Sequence, residues 1–373
     1  MKKFLVLCLL LWGLAPSVVS AQGADIAEPV KAEYTRAKVL KIINEGATED
    51  PGGSAKFQNV SLEIQSGGEN GRVVNTEYIT SAASFERQKL HVGETVVLAR
   101  SEDIRGEVYY VVDSFRLPMV GLFLLFFFVL AATFGRGSGM RAVLGLGVTL
   151  FVLLAFVAPR IFAGDSPVVI CALGAVMIAV VSIILSHGVK LRSFVALGAT
   201  LITLLFAFVM SALAVKLAAM SGGGTEEAVF LQLNYLSGLD LQGLLLGGMV
   251  IGTLGVLDDV TTAQVAAVDE IHNANGSLTA QELYSRGLSV GREHIASLVN
   301  TLALAYVGAS FPIFLLFSLP DNPPLWVLLN SEQIMEEAVR ALVGGGSLIL
   351  AVPVATLLAS YIFAKRPVNQ QYD

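Results

Sequence analysis

The chain is short of charge. Only 14% of its 373 residues are Asp, Glu, Lys or Arg, against 54% apolar residues, and mean hydropathy is +0.70. Soluble domains carry about 25% charged residues, so this balance excludes an ordinary soluble protein. Cations are scarcer still: 24 Lys and Arg against 30 Asp and Glu leave a formal net charge of −6. That gives no large basic surface and argues against nucleic acid as a partner. The two cysteines, Cys8 and Cys171, and the four histidines are scattered. They form neither a disulfide framework nor a metal-ligand spacing. His-Glu-x-x-His, Gly-x-Ser-x-Gly and phosphate-binding glycine loops are missing too. The two aspartates at 258 and 259 are adjacent, so on a helix they diverge by about 100° and cannot face each other as a protease pair. No enzyme and no cofactor are expected.

Long apolar runs are what the sequence has in quantity. The first reads as a signal peptide over residues 1–21. Lys2 and Lys3 precede an apolar core at residues 4–15, Pro16 ends it, and Val19-Ser20-Ala21 offers the small-residue cleavage pattern. The core is well under the ~20 residues a crossing needs, which disfavours a retained anchor. Such a signal delivers the chain beyond residue 21 outside the cytoplasm.

Residues 22–116 hold the polar part of the chain and predict an extracytoplasmic β domain. Strands are expected at 35–43, 57–64, 72–79, 94–99 and 108–113, separated by Pro51-Gly52-Gly53, the glycine-rich 67–71 stretch and Val92-Gly93-Glu94. Val60, Leu62 and Ile64 alternate with Ser61, Glu63 and Gln65, the pattern of a strand with one buried face. Five short strands suit a small barrel of the OB or SH3 kind, with a flat sheet as the alternative. The domain has no aromatic stacking platform, so it is expected to bind a protein or its own helices.

From residue 117 to 364 the chain predicts an α-helical polytopic membrane protein. Seven spans are expected near 118–134, 141–160, 167–186, 193–219, 239–257, 295–318 and 339–364. If the signal places residues 22–116 outside, the loops that should be cytoplasmic carry Arg136, Arg141, Lys190, Arg192, Arg286 and Arg292. The outer loops hold few cations and several acids, among them Glu226, Glu227, Glu336 and Glu337. This is the positive-inside asymmetry. It puts the 365–373 tail in the cytoplasm of a cell whose inner, or cytoplasmic, membrane holds the protein. Glycines at 243, 247, 248 and 252 allow close helix packing or a backbone-lined path, and Pro353 should disturb the last helix.

The polar centre lies between the fifth and sixth spans. Asp258 and Asp259 end an apolar helix, and Thr261 with Gln264 has the spacing of a capping box that would start a cytoplasmic helix ending at Asn275-Gly276. Thr279 with Glu282 repeats the device for a helix expected to run on into the sixth span. On that helix Glu293, Ser297 and Asn300 share a face, with Thr301 beside them. Consecutive antiparallel helices make Asp258, Asp259, Thr261 and Gln264 their nearest polar partners. The cluster reads either as a hydrogen-bonded clamp at the interface or as a coordination or proton-relay site on a path through the membrane.

These same residues carry a resemblance. Gly255-Val256-Leu257-Asp258-Asp259-Val260-Thr261 with Gln264 and Glu270, followed by Gly291-Arg292-Glu293-His294-Ile295-Ala296-Ser297-Leu298-Val299-Asn300-Thr301-Leu302, resembles the YibE/F-like family of multi-spanning bacterial membrane proteins. The family pattern has Asp where this chain has Glu293, which keeps the carboxylate. The resemblance implies the same order of parts and singles out the two motifs, but it implies no substrate. The expectation is a transporter or permease, or a subunit of one. The alternative is a scaffold or sensor whose outer domain binds a partner. Expected partners are the lipid bilayer and a membrane protein or a second copy.

Overall fold

The computed structural model describes residues 33–50, 53–103, 106–316 and 323–367, and the chain divides in sequence after Leu130 into two compact units. The signal expected at residues 1–21 lies outside the described residues.

Alternation builds the first unit. Strands β1 (Glu33–Asp50), β2 (Gly53–Ile64), β3 (Val73–Ser81), β4 (Thr95–Asp103) and β5 (Gly106–Ser114) form one antiparallel sheet in the order β3-β2-β1-β4-β5. Strand β3 comes alongside β5, where the Thr76 hydroxyl donates to the Tyr109 carbonyl at 2.5 Å. The sheet thereby nearly closes into a barrel, which hides its edges. Val60, Leu62 and Ile64 are fully buried inside it with Val96 and Leu98, each side chain contributing about 1.5–3 kcal/mol. Gln58 is buried too, and is satisfied: its amide nitrogen donates to Glu45 at 2.8 Å and its oxygen accepts from Leu90 N at 2.7 Å. All five expected strands are present. Strand β1 runs past its expected end at 43 because residues 44–50 stay paired with 53–59 in a long hairpin. Those residues are mostly polar, and backbone pairing there leaves no alternation to read.

The second unit, from residue 131 on, is helical, and one short helix and the start of the next lie before it in the chain. Helix α1 is the short Phe85–Gln88 turn of the barrel, and α2 (Leu117–Val152) passes through a π-helical turn into α3 (Ala158–Phe162). Next come α4 (Pro167–His187), α5 (Leu191–Leu217), α6 (Glu226–Asn234) and α7 (Leu241–Ala274). The last four are α8 (Ala280–Ala309), α9 (Phe311–Leu316), α10 (Leu325–Leu329) and α11 (Glu332–Phe363). Among the described residues six helical segments are long and apolar enough to cross a membrane: Leu117–Gly135, Gly139–Phe162, α4, α5, α7 and α11. The first two share α2. A Cβ at Gly139 would collide with the Ala131 carbonyl, which in a straight helix would lie about 12 Å away.

The sixth expected span, 295–318, falls in α8 and α9 and is not among the six. Within α8 the run of Arg292, Glu293 and His294 precedes this span and Asn300 lies inside it, and the helix ends at Ser310. One more expectation changes: α7 runs unbroken through Thr261, so no new helix starts there, while Pro353 lies inside α11. The Thr279–Glu282 capping box is formed as expected, with both reciprocal hydrogen bonds present.

Packing fixes helix directions. Positions on α4 and α7 rise together, with Val168 against Gly243, Cys171 against Gly247 and Ser182 against Asp258. These two helices are therefore parallel. Arg340 beside Gly248 and Thr356 beside Gln264 make α11 parallel to α7 as well. Helix α5 runs the other way: Thr200 meets Thr261, and Val215, at its far end, shares a cluster with Leu245 and Met249. The core sits where α4, α5, α7 and α11 meet, around Ala175, Leu257, Leu348 and Val352.

Candidate functional site

Helix α7 carries the polar centre on several sides at once. The Ser182 hydroxyl of α4 donates to Asp258 at 2.5 Å, and the second carboxylate oxygen of Asp258 is buried with no partner among the described residues. One turn on, Thr261 is fully buried, its hydroxyl 2.6 Å from that of Thr200 on α5. Each of the two also reaches the carbonyl four residues back, at 2.9–3.0 Å. Gln264 joins three helices. Its amide nitrogen donates to the Gly287 carbonyl of α8 at 2.9 Å and to the Thr356 hydroxyl of α11 at 2.8 Å. Its carbonyl oxygen is buried without a partner among the described residues. Gly291 makes this approach possible, since a Cβ there would lie 2.9 Å from that oxygen and run into Val352.

The expected site residues thus separate into two groups. Asp258, Thr261 and Gln264 face the bundle. Asp259 is exposed, as are Glu293, Ser297 and Asn300. The stripe on α8 does not turn toward Asp258. The face of α8 that meets α7 and α11 is instead the one bearing Gly287 and Gly291. Tight antiparallel packing needs the glycine face inward, which sends the polar stripe outward.

The bundle supplies polar groups that motif reading passes over. Helix α5 turns Ser193, Thr200, Thr203 and Ser211 inward, all buried. Helix α11 adds Ser347, Thr356 and Ser360, and α7 adds Thr253. The threonines satisfy their hydroxyls on the carbonyl four residues back, as Thr203 and Thr253 do at 2.8–2.9 Å. Ser193, Ser211, Ser347 and Ser360 have no partner among the described residues. The spacing of the four polar residues on α5 was the available signal: all four fall within one quarter of the helix.

Both ends of this file are charged. At one end Glu336 is buried and accepts from Gly224 N at 3.0 Å, while Arg340 lies 3.4 Å from Glu337. At the other, buried His272 meets the Arg366 carbonyl at 3.1 Å, and the Arg366 guanidinium lies 3.6 Å from Asp269. Among the described residues no group of three or more His, Cys, Asp or Glu side chains is disposed to hold a metal ion.

The residues that build this centre lie inside a recognisable stretch of sequence. A sequence model described as YibE/F-like protein matches residues 123–365. The chain belongs to the YibE/F-like family. The match covers the helical unit, with the inner polar file and both motifs, and leaves the barrel outside it. No curated protein and no solved structure matches the chain. The YibE/F-like region is thus where α4, α5, α7 and α11 meet, and its chemistry is the chemistry of that interface.

Proposed function

We propose that this YibE/F-like protein moves a small polar solute or ion across a membrane, along the interface of α5, α7 and α11. The observation that carries the reading is the buried polar file. From Ser193 to Ser211 the inward groups of α5 span about 27 Å of helix, close to the ~30 Å hydrocarbon thickness of a bilayer. Along that depth the serine hydroxyls and the Gln264 oxygen have no partner among the described residues. A buried polar atom left unpaired costs about 1–3 kcal/mol. A bundle built only to be stable would fill these positions with Ala, Val or Leu. Asp258, Thr261 and Gln264 are the residues assigned to the path. Asp259, Glu293, Ser297 and Asn300 would act on its approach or at a partner surface.

In this reading α8 makes the return crossing between α7 and α11, because those two helices are parallel. The membrane is the inner, or cytoplasmic, one of a bacterial cell, with the barrel outside and the C-terminal end inside. Reading the first 21 residues as a signal peptide belongs to the same proposal, and no catalytic step is part of it. The test is solute flux into liposomes holding the purified protein, read with indicators for H⁺, Na⁺, K⁺ and divalent cations. Asp258→Asn and Gln264→Leu should abolish a flux seen with the wild type while the protein stays folded. Unchanged flux in both variants would end the assignment of the path.

A second reading rests on a different observation. The barrel exposes Tyr34, Val108, Tyr110 and Val112 on its outer surface, and apolar patches on a soluble face mark binding surfaces. A scaffold or sensor would lose function through Tyr110→Ser and keep it in Asp258→Asn.

A further inference from the structure

Three helices close the Glu336 end of the polar file with apolar side chains. On α5 the last buried hydroxyl is Ser211, and Val215 follows it one turn on. On α7 Met249 and Leu245 precede Thr253 by one and two turns, and on α11 Val343 and Val339 precede Ser347 in the same way. These side chains share one buried cluster, and Met220, 3% exposed, enters it from the loop after α5. That loop is fastened at four successive amides. Those of Ser221 and Gly222 donate to Glu332, the second at 2.8 Å, and the Ser221 hydroxyl donates to the same carboxylate at 2.8 Å. The Gly223 amide donates to the Ser221 hydroxyl at 3.2 Å, and that of Gly224 to buried Glu336 at 3.0 Å. Gln242 of α7 donates to the Met220 carbonyl at 2.8 Å. The backbone is left-handed at Ala219 (φ +51°) and Gly222 (φ +84°), and a Cβ on Gly222 would lie 2.2 Å from the Leu241 carbonyl oxygen. Alanine in that conformation is strained, and such strain persists only where surrounding contacts over-determine the backbone.

We infer that this loop is the gate of the path, with Met220 as its plug and Glu332 and Glu336 as the strap that holds it shut. The inference rests on the polar file being the path proposed above, and in that orientation it puts the closed gate at the outer end. An apolar constriction across a polar path stops water and solutes by dewetting. Val215, Met249 and Val343 supply that constriction from three helices, and Met220 completes it from the loop. A loop that only joined α5 to α6 needs neither a buried methionine nor two carboxylates from a helix more than 100 residues further on. What is built here has the parts of a gate. Ala219 and Gly222 are the positions where a change of backbone angles would swing the loop, as hinge residues do. The strap is a set of hydrogen bonds between a loop and side chains, so it opens without breaking a helix.

Thiol labelling in nanodiscs tests it, with Cys8 and Cys171 replaced by Ala and one reporter added. Ser211→Cys lies just beneath the plug, and Ala175→Cys lies in the core around α4 and α7. A charged, water-soluble maleimide should label Ser211→Cys about tenfold faster once Glu332→Ala is added, the shift that losing hydrogen bonds to a carboxylate gives an opening equilibrium. Met220→Ala should unmask the same thiol, and Glu332→Gln, which keeps an acceptor for the amides, should fall between. Labelling at Ala175→Cys should stay unchanged. Unaltered rates at Ser211→Cys, or an equal rise at Ala175→Cys, would overturn the gate, the second by showing a bundle loosened throughout. The liposome flux assay separates the gate from the path. Met220→Ala and Glu332→Ala should each raise the flux. A flux abolished by Asp258→Asn yet indifferent to both gate variants refutes the gate and keeps the path. A Ser211→Cys thiol unmasked by both variants, with no flux in any protein, keeps the plug and strap and ends the transport reading.

Discussion

Gly291→Ala tests the three-helix junction most directly. The new methyl would sit 2.9 Å from the Gln264 oxygen, 3.0 Å from its nitrogen, and against a Val352 methyl. Gln264 cannot swing away without losing its bonds to Gly287 and Thr356. Val352 is fully buried, and a β-branched side chain in a helix has essentially one rotamer. Overpacking of this kind costs about 1–3 kcal/mol, and the helix preference for Ala over Gly offsets about 1 kcal/mol of it. The net expectation is a loss of up to about 2 kcal/mol, centred near about 1 kcal/mol. Gly198→Ala on α5 is the matched control, since a Cβ there meets nothing within 4 Å. It should gain about 0.5–1 kcal/mol from chain entropy alone. Thermal loss of helical circular dichroism in detergent reads both, and the two midpoints should move in opposite directions. A Gly291→Ala protein as stable as the wild type would mean that α8 does not approach α7 and α11 as described.

Other consequences can be measured on the same protein. Replacing Thr200 and Thr261 by Val, singly and together, should show a coupling of about 0.6 kcal/mol and at most about 1.7 kcal/mol; additive effects would show that the 2.6 Å hydroxyl contact is not a bond that matters. Glu332 accepts from Gly222 N and the Ser221 hydroxyl, both at 2.8 Å, so Glu332→Ala should cost about 1–2 kcal/mol and raise proteolysis in the 221–224 loop. At the barrel rim, the hydrogen bond from Arg72 holds Glu107 below its ordinary 4.5, and the bond from Tyr109 holds Glu69 below the same value. Their contribution to stability is complete above pH about 4.5 and fades as the pH falls through the lowered values. Burial, helped by Glu69, pushes Tyr109 up to about 12 from 10.0, so its contribution is complete below pH 10 and is lost as the pH rises toward 12. Arg72→Gln should flatten the acid limb, measured by barrel proteolysis against pH, and move the alkaline limb to higher pH, because the Arg72 charge holds Tyr109 down.

Periodicity and composition carried most of the fold. Alternation over 57–64 placed Val60, Leu62 and Ile64 inside the barrel, because a strand's two faces are distinguished by local pattern alone. Apolar runs located six membrane-length helices, because the demand for apolar side chains is local to each segment. The motif around Asp258 and Gln264 identified the helix that holds the centre of the site. It could not identify the partners. Ser182, Thr200, Gly287 and Thr356 lie between 23 and 92 residues from the α7 groups they meet, and no local pattern encodes such a pairing.

The same limit explains the α8 stripe. Spacing put Glu293, Ser297 and Asn300 on one face, and that much is a property of any helix. Which way the face turns depends on where close approach is possible, and Gly287 with Gly291 decides it by leaving room for Val268, Thr356, Val352 and Gln264. Local chemistry along the chain, then, settled the barrel strands, the membrane-length helices and the Thr279–Glu282 cap. The unbroken run of α7 through Thr261, the inward file of serines and threonines, and the outward turn of Asn300 were settled only by packing, because each depends on side chains contributed by other helices.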